Sequence, residues 1–224
     1  MFRFVFLCMI SLFVASGSAD AAWPDIPIEK GDAAPLIQVQ VQSTAKEPKA
    51  APHVYLFRGF LGIFSTGMDT LSEKLKTRGY RTRVMAHGSS GVAVRQIIEE
   101  HKRRKGRYRV VLVGHSFGAN AALAAAARLA EHKVRVELVI TYDPTRPGPI
   151  SGNVRRYINI YQSENGHGRA LIVPDGKFRR RVKNINLRDR EDIDNREVGH
   201  FNMEEHDTLH AEMIREIRRV VRPR

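Results

Sequence analysis

One stretch limits the possible folds more than any other: Arg109-Val-Val-Leu-Val-Gly-His-Ser-Phe-Gly-Ala-Asn120, running on through alanines to Ala130. The apolar run Val110 to Val113 predicts a strand buried on both faces, and Phe117 to Glu131 a helix, alanine being the best helix former. Between them stands Gly114-His115-Ser116-Phe117-Gly118, a G-x-S-x-G turn. A serine at such a sharp strand-to-helix turn occupies strained backbone. The glycines two positions to either side, Gly114 and Gly118, let the chain reverse without Cβ clashes. Its Oγ then projects above the sheet, beside a helix start whose N–H groups and dipole favour a developing anion. Ser116 is therefore the candidate nucleophile.

Around this turn, strands and helices alternate. Val54 to Phe57, Arg81 to Met85, Arg109 to Val113, Val134 to Tyr142, Arg155 to Tyr161 and Val182 to Leu187 read as strands. Gly67 to Thr77, Val92 to Lys102, Phe117 to Glu131 and about Glu204 to Val221 carry helical spacing. Such alternation predicts an α/β fold, a mostly parallel sheet with helices on both faces. Only about a dozen residues follow Asp143 before the next strand, too few for a cap domain.

Before residue 53 the pattern differs. Met1 to Ala15 is one positive charge followed by a short apolar run, and Ala19-Asp20-Ala21 offers a cleavage triplet. Residues 1–21 are expected to be a signal peptide, the protein exported to a periplasm or the medium. Cys8, the single cysteine, leaves with it, so the mature fold would rest on its core and not on disulfides. Residues 22–52 read as an extended lead-in with an edge strand over Leu36 to Gln42, and 53–224 as one domain.

A serine hydroxyl needs a base, and the base needs an orienting acid. The chain order Ser, then acid, then His is where it comes to resemble the α/β-hydrolase superfamily, with its esterases, lipases and thioesterases. The likeness extends over nearly all of residues 53–221 and implies a Ser-His-acid triad. The acid is Asp143, at the tip of the strand after the elbow helix. Glu164 and Asp175 are alternatives one strand later. The base is His200, ahead of the last helix. The superfamily often has His-Gly after its first core strand, whereas this chain has Arg58-Gly59. The second oxyanion N–H falls to Phe60, the first to Phe117. Leu61, Phe64 and His115 are expected to line the substrate pocket. His206 and His210 are four apart and are read as a solvated helix face in preference to a metal pair. No metal or organic cofactor is expected.

The expected substrate is a small or medium acyl ester or thioester. The net charge of +13 is concentrated in His101 to Arg109, Lys177 to Lys183 and Arg215 to Arg224. These patches suggest peripheral contact with an anionic membrane surface. Aromatic interleaving is too sparse for nucleic acid. A monomer is expected. The competing reading is a hydrolase-fold protein without catalysis that binds anionic lipid or glycan.

Overall fold

The computed structural model describes residues 53–60, 65–163, 166–173, 176, 178–194 and 196–223. The expected signal peptide and lead-in, with Leu61, Phe64, Glu164 and Asp175, lie outside them.

Six strands form one parallel sheet: β1 (Val54–Arg58), β2 (Thr82–Ala86), β3 (Val111–His115), β4 (Leu138–Tyr142), β5 (Tyr157–Tyr161) and β6 (Val182–Asn186). Their order across the sheet is β2-β1-β3-β4-β5-β6, with Val54 opposite Val111 and Val111 opposite Leu138. The helices are α1 (Gly67–Lys76), α2 (Ser90–Arg103), α3 (Phe117–Glu131) and α4 (Asp207–Val220). Side chains alternate across each strand, so the sheet carries two apolar cores. Val54, Leu56, Val111, Val113 and Ile140 share one with Leu71 and Leu75 of α1 and Met213 and Ile217 of α4. Tyr55, Phe57, Leu112 and Val139 share the other with Ile97 of α2 and Ala122, Ala126 and Leu129 of α3. β3 and β4 are buried throughout, as the apolar runs require of strands covered on both sides. The fold is α/β, and residues 143–156 hold no helix.

Two expected boundaries move by three residues or more. The β4 ladder begins at Leu138 and not Val134, with Val136 making only an isolated bridge to Val154. α4 begins at Asp207 and not Glu204, because Met203–Glu205 forms a separate 3-10 turn and His206 is extended. That turn presses on α1 so closely that a Cβ on Gly67 would meet the Glu204 carbonyl oxygen at 2.1 Å.

Candidate active site

The elbow glycines are there for lack of room. A Cβ on Gly114 would stand 2.1 Å from the Gly118 carbonyl oxygen, and one on Gly118 2.1 Å from that of Phe57. Between them Ser116 has φ 56° and ψ −120°, strained for a residue with a side chain. Its own N–H donates to the Tyr142 carbonyl at 2.9 Å, so the end of β4 braces the turn.

Asp143, the next residue, is wholly buried and also left-handed, with φ 47°. Its Oδ2 accepts a bond of 2.7 Å from His200 Nδ1–H. Because a carboxylate only accepts, this places the ring proton on Nδ1 and leaves Nε2 as acceptor. Ser116 Oγ lies 3.1 Å from that Nε2, so the serine, imidazole and carboxylate form one chain of hydrogen bonds. Asp143 Oδ1 accepts the Gln162 N–H at 2.9 Å, and the Gln162 side-chain amide donates to the Val198 carbonyl at 3.0 Å. One residue at the end of β5 thus holds both the acid and the loop that carries His200. Gly168 completes the enclosure, since a Cβ there would fall 1.5 Å from Asp143 Oδ1.

His115 is not in the substrate pocket. It is 3% exposed and its ring turns under the turn, because both nitrogens have protein partners there. Nε2–H donates to the His200 carbonyl at 2.7 Å, and Nδ1 accepts from Ser65 Oγ–H at 2.6 Å. Burial lowers its pKa to about 4, keeping it neutral. Glu204 Oε2 lies 3.7 Å from His115 Nδ1. Glu204 is fully buried, and that burial raises its pKa to about 8. His210 is likewise no solvated residue. It is fully buried, Nε2–H donating to the Glu204 carbonyl at 2.6 Å and Nδ1 accepting from Lys74 Nζ at 3.0 Å.

The rim of the site is apolar. Phe60 and Phe117 stand half exposed with ring centres 5.8 Å apart, and Phe201 is 76% exposed at a right angle to His200. His167 stacks on His200 at 4.3 Å. Phe117 opens α3, so its N–H has no intrahelical acceptor. Gly59, before Phe60, sits against the serine: a Cβ on it would be 3.4 Å from Ser116 Cβ. Beside His200 an open depression of about 490 Å³ is lined by Gln162, Arg188, Arg196 and Phe201 among others.

A model of the lipase (class 3) family matches residues 35–153, just over half of the chain. The chain belongs to the class 3 lipase family. It is thus a lipase-like hydrolase of α/β fold. A solved hydrolase of the alpha/beta superfamily from Xanthomonas campestris pv. campestris is similar to it at 14% identity and TM-score 0.43, over 76% of this chain and 100% of that one. No curated protein matches it.

Sequence reasoning missed Gln162, Gly168, Ser65, His87 and Glu204. Gln162 and His87 had a usable signal, each following a strand on the same sheet edge as Asp143. Asn120 donates to Thr145 Oγ1 at 2.8 Å and accepts the Arg146 N–H at 3.1 Å, tying α3 to the turn after Asp143.

Proposed function

We propose that the protein is a serine hydrolase of carboxylic esters with apolar acyl groups. The observation that carries this reading is the unbroken array from Ser116 Oγ through His200 to Asp143, set at a strained elbow. His200 Nε2 takes the Ser116 proton as Oγ attacks the acyl carbonyl, and Asp143 steadies the imidazolium. The Phe60 and Phe117 N–H groups hold the oxyanion. The tetrahedral adduct collapses, His200 passes its proton to the departing alcohol, and an acyl-serine remains. Water, deprotonated by the same ring, then releases the acid. The phenyl rings at the mouth favour an acyl or alkyl chain over a polar group.

The test is fluorophosphonate labelling with hydrolysis of a p-nitrophenyl acyl series and matched thioesters. Labelling and turnover that vanish in Ser116→Ala and His200→Ala support the reading. A folded wild type that neither labels nor cleaves any ester sinks it. The chain-length profile separates esterase from lipase behaviour, and the matched thioesters separate oxygen from sulfur esters.

A second feature supports peripheral contact with an anionic lipid surface. At the opposite edge of the sheet, Lys133, Arg135, Arg155 and Arg181 line a depression of about 420 Å³. Docked there, the protein would turn its mouth away from that surface.

A further inference from the structure

We propose that His87 and His115 are positioning residues for the oxyanion donor, holding the two polar groups of Gly59 from opposite sides. The proposal rests on the reading of Ser116 as nucleophile.

The Gly59 carbonyl and the Phe60 N–H belong to one planar trans peptide and point in opposite directions. His87, in the 3-10 turn that follows β2, donates from Nδ1–H to the Gly59 oxygen at 2.9 Å. Fixing that carbonyl fixes the plane, and turns the Phe60 N–H away from His87. The His87 ring also lies 5.7 Å from that of Phe117, so the same side chain holds the peptide that carries one oxyanion donor and lies beside the residue that supplies the other.

The second hold acts on the Gly59 N–H, which donates to Ser65 Oγ at 3.0 Å. Ser65 is buried and left-handed, with φ 74°, a conformation that brings its hydroxyl back under Gly59. Its proton goes to His115 Nδ1 at 2.6 Å, and the far side of that ring donates to the His200 backbone at 2.7 Å. A single chain of bonds therefore runs from the oxyanion loop, beneath the serine, to the backbone of the base. The order requires a neutral His115 with its proton on Nε2, and burial at that position favours the neutral form. A merely packed histidine would have no reason to join two loops whose relative placement sets the distance between base and oxyanion donor.

The asymmetry of imidazole gives a test. An asparagine amide reaches where Nδ1 stands, and a glutamine amide where Nε2 stands. Wild type is first labelled with a fluorophosphonate and assayed on p-nitrophenyl esters. Inactivity there overturns the hydrolase reading and this proposal with it. With wild type active, His87→Ala and Ser65→Gly should each lower kcat by about 10- to 100-fold with KM nearly unchanged. Affinity for a trifluoromethyl ketone, whose adduct carries the oxyanion, should fall by the same factor. His87→Asn keeps the Nδ1 donor and should recover most of the rate. His115→Gln keeps the bond to His200 and should lose the Ser65 link, while His115→Asn should do the reverse. Glycine suits the left-handed backbone at Ser65, so Ser65→Gly should keep its melting temperature while losing rate. Unchanged kcat in His87→Ala and Ser65→Gly overturns the proposal. So does a loss that His87→Asn shares and that follows the melting temperature.

Discussion

The two edges of the sheet are built from the same strands and helices and differ in almost every other respect. At the C-terminal edge, Ser65, Ser116 and Asp143 are strained non-glycine residues in left-handed backbone, all three buried and polar. Among the described residues the exposed large apolar side chains are Phe60, Val92, Phe117, Ile172 and Phe201, and three of these adjoin the serine or His200. At the N-terminal edge the left-handed non-glycine residues are Lys105 and Lys133, just past the ends of α2 and α3, where a helix commonly terminates in that conformation. Arg103, Arg104, Lys105 and Arg107 line one depression there, and Lys133, Arg135, Arg155 and Arg181 another. Helices flanking a parallel sheet all point their N-termini toward the strand ends. One edge therefore receives positive dipole ends suited to a forming oxyanion, and the other receives negative ends that attract lysine and arginine. Arg103, Arg104, Lys105 and Lys133 adjoin the C-terminal ends of α2 and α3, where that dipole favours them.

The comparison breaks first at Ser116. Ser116→Ala should abolish phosphonate labelling and lower ester turnover by at least about 10³-fold, with melting nearly unchanged because alanine keeps the Cβ that strains the turn. Enzyme activity surviving that change would move the chemistry away from this edge. Gly168→Ala comes next. Its Cβ would collide with a carboxylate that His200 and the Gln162 N–H hold in place, so kcat should fall by about 10²-fold. Calorimetry should show a destabilisation of about 1–3 kcal/mol from overpacking.

Two buried titratable groups should then set opposite pH limits at the C-terminal edge. His115 has its pKa lowered in the fold, so its stabilising effect is lost as pH falls from about 6.5 toward about 4. Glu204 has its pKa raised, so folding binds a proton that the unfolded chain gives up, and stability is lost as pH rises from about 4.5 toward about 8. Melting temperatures of Glu204→Gln, measured from pH 5 to 9, should exceed wild type increasingly toward the alkaline end. A parallel pair of curves would show that the carboxyl stays ionised, contrary to its burial.

The smallest effect on turnover belongs to the basic edge. Arg135→Glu with Arg155→Glu should leave hydrolysis of a soluble ester unchanged. Adsorption to phosphatidylserine vesicles at low salt should weaken by roughly 10-fold or more, at about 1 kcal/mol per arginine before its replacement by an acid is counted. Adsorption that survives, or that proves insensitive to salt, would leave these arginines as ion-pair partners of Glu137 alone.

How far the sequence reached follows from which interactions are local. Strand β3, helix α3 and the turn between them depend on neighbours along the chain, and 117–131 was legible to the residue. The order serine, acid, histidine could be read from the chain because loops at one sheet edge follow in chain order, and folding brings Asp143 Oδ2 to 2.7 Å from His200 Nδ1. What stayed hidden were bonds between distant segments. The His115 ring was expected to face a substrate and instead joins Ser65 to the His200 backbone, a contact across 50 residues on one side and 85 on the other. No periodicity encodes the direction in which a ring points once both faces of its strand are covered. His210 showed the same limit: helical spacing marked its period, and only the packing of α4 against Lys74 and the Glu204 turn decided that it lay inward. The sequence by itself determined the alternation of elements, the strained serine and the classes of residue available to it, because propensity, glycine spacing and apolar period act over a few residues. The tertiary structure alone decided which buried polar groups became partners, because a hydrogen bond inside a protein is set by the meeting of surfaces that the chain brings together only on folding.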